Sequence, residues 1–165
     1  MMITNLEEII KRQYGKFNKD CLLRAPLFYW DMTNKFILDQ TNGMGPECFI
    51  VNAIPEKFRN NLLGLSVAEA AYIHDICYGF IMKYLEGKTN MCEDEVRYYV
   101  DFLFVSNLKV IVNTSFNNEL HKVKRSNSWK ITKKIKIWWL NHLKIARLQE
   151  ANKCLLLVRK YGKMN

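Results

Sequence analysis

Two capped helical segments separated by a short turn constrain this chain more than any other feature. "SVAE" reads as a capping box, with Ser66 placed to cap and Glu69 to reach back. It opens a helix that should run to about residue 85 and stop at Gly87. "NMCE" repeats the signal, Asn90 followed three residues on by Glu93, and starts a second helix through Asp101 to about residue 112. So short a connection favours an antiparallel pair. Residues 5–14 also look helical, with Leu6, Ile9 and Ile10 on one side. A polar break, "HKVKRSNS", precedes a long C-terminal helical segment from Trp129 to about residue 161. The aromatic-rich stretch "LLRAPLFYWDMTNKFIL" fits short helix or strand equally well. "DQTNGMGPE" is a loop, broken by Gly43, Gly45 and Pro46, and residues 54–65 read as a further irregular connection. The expected class is mostly α.

Within the first helix, "AYIHDICYGF" places ionisable groups in an apolar setting, where an unpartnered charge is costly. His74 and Tyr78 are four apart and share a face, while Asp75 is rotated about 100° to one side. On the second helix Asp101 is flanked by Tyr98, Phe102, Phe104 and Val105. With the turn near residues 87 to 90, His74 and Asp101 fall at nearly the same height, at roughly 1.5 Å of rise per residue. An aspartate facing a histidine satisfies both groups and holds the imidazole in one tautomer, leaving the other nitrogen free as a base. Asp75 needs another partner. In "TNGMGP" two glycines with one residue between them let backbone carbonyls converge, and carbonyls plus a carboxylate make an oxygen cage suited to Ca²⁺. A base beside a carbonyl-polarising metal is machinery for ester hydrolysis.

These residues carry a resemblance. "HDICY" is similar to the His-Asp-x-x-Tyr active-site helix of the phospholipase A2 superfamily, and "TNGMG" to that family's glycine-rich calcium loop. The run from "NGMGP" through "IPEKFRNNLLGLSVAEAAYIHDICYG" to "VDFLFVSNLKVI" resembles small phospholipase A2-like proteins of bacteria and their phages. The resemblance implies a phospholipase A2-like antiparallel helix pair with a glycine-rich metal loop, to which N- and C-terminal helices are added. By position it implies His74 as general base, Asp101 as its orienting partner and Tyr78 as a hydrogen-bonding member of the network. It implies Ca²⁺ held by Asp75 and the main-chain carbonyls of Thr41, Gly43 and Gly45, with oxyanion stabilisation by loop amides and metal. Where such relatives carry a loop-to-helix cysteine pair, this chain has Met44 and Ala71. The expected activity is calcium-dependent hydrolysis of an acyl ester of a glycerophospholipid.

Charge divides the chain. From His121 onward there are thirteen Lys or Arg and one acid, Glu150, which leaves twelve basic and fifteen acidic residues in the first 120. The expected division is a catalytic domain over 1–120 and a basic helical extension over 121–165 packed on it. In that extension Ile131, Ile135, Trp138, His142 and Ile145 fall on one side, and Lys133, Lys136, Lys144 and Arg147 gather opposite. The expectation is that the apolar side packs on the domain and the basic side meets solvent. Those four basic residues are candidates for an anionic membrane surface or a polyanion. The alternative function is therefore a non-catalytic, phage-encoded binding or inhibitor protein that uses this helix on an acidic host protein or a nucleic acid.

His74 and Cys77, with Cys92, allow a zinc reading, but no second Cys/His pair has metal spacing. Five scattered cysteines do not suggest a disulfide framework. No apolar run approaches the roughly 20 residues that span a bilayer. The first residues lack a continuous apolar signal core, and Glu7 and Glu8 argue against a transit peptide. A cytoplasmic protein, peripheral at membranes where it meets lipid, is expected.

Overall fold

The computed structural model describes residues 10–14, 22–41, 61–85 and 92–161. Helix accounts for 81% of the described residues, so the chain is mostly α, as its sequence predicts. Ile10–Tyr14 (β1) and Leu22–Pro26 (β2) form an antiparallel ribbon with Ile10 opposite Pro26 and Tyr14 opposite Leu22. A helix was expected over β1. Short helices are marginal alone, and pairing with β2 supplies the backbone partners instead. The ambiguous aromatic stretch resolves into β2 followed by helices Leu27–Asp31 (α1) and Asn34–Gln40 (α2). Thr33 caps α2, its Oγ1 accepting from the Phe36 N–H at 3.2 Å.

Next comes a small hairpin, Asn61–Leu62 (β3) with Leu65–Ser66 (β4), in place of the irregular connection expected there. Its two-residue turn has positive φ at both Leu63 (48°) and Gly64 (78°), the pattern whose twist suits a tight hairpin. Helix Ala68–Leu85 (α3) follows directly. Because Ser66 is held extended opposite Asn61, Val67 takes the capping position, and its carbonyl accepts the Ala71 N–H. The second capping box is also displaced. Helix Glu93–Arg125 (α4) starts from Cys92, whose N–H donates to Glu95 Oε2 at 2.9 Å, while Asn90 lies outside the described residues. Glu93, Asp94 and Glu95 crowd the first turn, where negative charge meets the positive end of the helix dipole.

Helix α4 is the central element. On it Val96, Val100, Leu103, Phe104, Leu108 and Ile111 are buried at three- and four-residue spacing, the stripe that a core-facing helix needs. α3 packs on this stripe with Ile73, Ile76 and Cys77. β2 is pinned to α4 by Asn107, which is fully buried. Its Oδ1 accepts the Arg24 N–H at 2.9 Å and its Nδ2 donates to the Arg24 carbonyl at 2.8 Å. The side-chain amide thus stands in for a neighbouring strand.

Helix Lys130–Tyr161 (α5) returns along α4 and packs on it. Arg159 lies over the Tyr98 ring, Lys144 over Phe116, and Lys133 Nζ donates to the Lys124 carbonyl, so the two run antiparallel. These contacts explain why α4 continues past residue 112, where its apolar run ends, to a cap at Ser126. The division expected at residue 121 therefore falls inside α4.

Candidate active site on the helix pair

α3 and α4 bring His74 and Asp101 together. His74 Nε2 lies 3.0 Å from Asp101 Oδ1, and the Tyr78 hydroxyl donates to the same oxygen at 2.8 Å. The order of contacts, His74 with Asp101 and Phe104 but Tyr78 with Asp101 and Arg97, shows the helices to be antiparallel. A carboxylate only accepts, so Nε2 carries the proton in neutral His74 and Nδ1 keeps its lone pair. That nitrogen faces Asp75, whose Oδ1 is 3.7 Å away, beyond hydrogen-bonding distance.

Burial sets the electrostatics. Asp101 is buried, and the side chains of His74 and Asp75 are 14% and 17% exposed, so a small reactant can reach them while most bulk water is displaced. Desolvation works against a charged His74, but the hydrogen bond to Asp101 and the negative charges of Asp101 and Asp75 outweigh it, and its pKa is raised above 6.5. For Tyr78, burial first and Asp101 second push the phenol up, so it stays a neutral donor. The His74 ring is held between Tyr78 and Phe104, with centroids 4.6 and 4.8 Å away. Sequence reasoning missed Arg97, whose guanidinium lies over the Tyr78 ring. The signal was available, since Arg97 stands one helical turn before Asp101.

Of the remaining metal candidates, Thr41 ends α2, which packs on α3. Its hydroxyl is buried and makes no hydrogen bond among the described residues. Gly43 and Gly45 lie outside the described residues. Of the described candidates, Asp75 presents a partly exposed carboxylate, an oxygen donor of the kind a hard cation takes. Among the described residues no group of three His, Cys, Asp or Glu side chains gathers as a metal site. Cys77 points into the core, and burial pushes its thiol well above the usual range. Cys77, Cys92 and Cys154 are free thiols.

The basic candidates on α5 divide. Lys133 and Lys144 turn toward α4, Arg147 donates to the Leu63 carbonyl, and Lys136 is exposed. Ile131, Ile135, Trp138, His142 and Ile145 are exposed, so the apolar side faces outward rather than onto the domain. The physical reason is that the packing stripe lies elsewhere on the helix, at Leu148, Ala151, Leu155 and Val158. No helix among the described residues is long and apolar enough to cross a membrane. Comparison with family models, curated proteins and solved structures returns no match for this chain.

Proposed function

We propose that the chain is a phospholipase A2-like, calcium-dependent hydrolase that cleaves an acyl ester of a glycerophospholipid. The observation that carries this reading is the His74 Nε2 to Asp101 Oδ1 contact of 3.0 Å across two antiparallel helices. Tyr78 bonds the same oxygen, and Asp75 stands beside the free ring nitrogen. In the proposed reaction Nδ1 of His74 takes a proton from water as the water oxygen bonds to the ester carbonyl carbon. The carbonyl electron pair moves to oxygen. Collapse of the tetrahedral species breaks the bond to the glycerol oxygen, which leaves with the proton returned by His74. A free fatty acid and a lysophospholipid result. Asp101 stabilises the imidazolium between these steps, and Tyr78 keeps the Asp101 carboxylate oriented.

Ca²⁺ held by Asp75 and the carbonyls of Thr41, Gly43 and Gly45 would supply positive charge to the developing oxyanion. We infer a reducing compartment as the working environment, where the free thiols of Cys77, Cys92 and Cys154 persist.

The test is fatty-acid release from phospholipid dispersions by wild type and His74→Gln, each with Ca²⁺ and with chelator. Wild type should release fatty acid with Ca²⁺ and far less with chelator, and the variant should lose at least about a hundredfold. Equal release by variant and wild type would end this reading.

A further inference from the structure

The outer side of α5 carries a surface that the His74 site does not use. Past Val112 on α4, and before Ala151 on α5, no described residue is buried. The two helices run on as an arm of two strands of helix, joined at residues 126–129. At about 1.5 Å per residue, the end of α4 lies roughly 36 Å from Asp101 along the helix, so the arm is separate from the candidate active site.

On its outer side the arm exposes Ile131 by 70%, Ile135 by 61%, Trp138 by 61%, Trp139 by 56% and Ile145 by 55%, with Trp129 exposed by 82% at the bend. Exposed Lys130 and Lys134 flank them on the same helix. From residue 113 to 149 the chain has nine Lys or Arg and one acid, Glu119, a net of +8 that nearly equals the +9 of the whole protein.

We infer that this arm docks on an anionic lipid bilayer, with the Ile and Trp side chains inserted at the headgroup level and the lysines on lipid phosphates. Contiguous exposed apolar residues mark an interaction surface. Three isoleucines on that surface have no use on a nucleic-acid backbone, whereas they gain by entering the acyl boundary. Tryptophan suits the same depth, with an apolar ring and a polar N–H. Lysine stems follow the apolar surface while their ammonium groups stay at the phosphates. A second copy of the arm is disfavoured as partner because both would bring the same strong positive charge.

The test uses the full chain with vesicles of phosphatidylcholine alone or with added phosphatidylglycerol, read by co-sedimentation and by tryptophan emission. Binding should appear with the anionic vesicles, shift emission to shorter wavelength and weaken with salt. The double variant Ile131→Asn, Ile135→Asn should lose on the order of tenfold or more in partitioning. Its circular dichroism melt should match wild type, because both side chains are exposed. Absence of vesicle binding, or binding that the double variant keeps in full, overturns the inference. So does an oligonucleotide or an acidic protein that displaces the vesicles while binding the double variant as well as wild type. His74→Gln should bind vesicles like wild type. Binding without any hydrolysis by wild type would therefore remove the esterase reading and leave this one intact.

Discussion

His74 and Tyr78, one helical turn apart on α3, both reach the same oxygen of Asp101, at 3.0 and 2.8 Å. A single buried carboxylate oxygen thus holds an imidazole and a phenol in fixed relation. Removing the phenol leaves Asp101 with one bond fewer but still paired, so Tyr78→Phe should cost about 1 kcal/mol of stability in denaturant titration. Fatty-acid release should fall less than tenfold, on the proposal that Tyr78 only positions. Asp101→Asn keeps the shape but loses the charge that stabilises the imidazolium, and release should fall by about a hundredfold or more. Equal losses for the two variants would show that Tyr78 does more than orient the carboxylate.

The raised pKa of His74 makes folding depend on pH. Burial opposes the charged ring, while Asp101 and Asp75 favour it and prevail. A group held above its unfolded value of 6.5 contributes stability that is fully present below that value. The contribution fades as pH rises through the folded-state pKa. With chelator present, the stability difference between wild type and His74→Asn should be largest in mildly acid solution and shrink toward alkaline pH. Urea midpoints measured across that range check it. A difference that grows with pH would mean that burial, not the two carboxylates, governs the ring.

Leu63 has a φ of 48°, a left-handed conformation that a branched side chain adopts at a cost of about 1–2 kcal/mol. Arg147 reaches across from α5 and donates Nε and Nη2 to the Leu63 carbonyl at 3.2 and 2.9 Å, fastening the turn. Asparagine tolerates this conformation, so Leu63→Asn should raise stability by up to about 1 kcal/mol. Arg147→Ala should lower it by a similar amount, since the bonds are exposed to solvent. Thermal unfolding of both variants tests the sign of each effect.

The His74–Asp101 contact was legible because it needs only a fixed helical rise and a connection of few residues, both local quantities. The stretch Ile10–Tyr14 was not, because its structure depends on a partner strand that a helical pattern cannot reveal. Ser66 and Asn90 offered good caps, yet Ser66 is held by pairing with Asn61 and the second box forms at Cys92 and Glu95. Capping signals locate a helix start only to within a turn when neighbours compete. The orientation of α5 was hidden for another reason. A helical wheel shows which side is apolar, but Leu148, Ala151, Leu155 and Val158 also form a stripe, and only the fold decides which stripe is covered. Gly43 and Gly45 lie outside the described residues, so their proposed part in holding a cation is read from the sequence.

Calcium gives the most direct check on the proposed metal. A ligand that binds the folded chain alone must stabilise it, by about 2.7 kcal/mol at a hundred times its dissociation constant. For a protein of this size each kcal/mol moves the melting temperature by roughly 2–4 °C. Added Ca²⁺ should therefore raise the melting temperature of wild type by several degrees, and Asp75→Asn should remove the shift by replacing the charged ligand with a weaker one. Mg²⁺ should do less, because it dehydrates reluctantly and demands a tighter octahedral cage. If Ca²⁺ leaves wild type unmoved, the metal part of the proposal falls. The hydrogen bonds of His74 and Tyr78 to Asp101 would remain, and a metal-independent hydrolase would then be the reading to pursue.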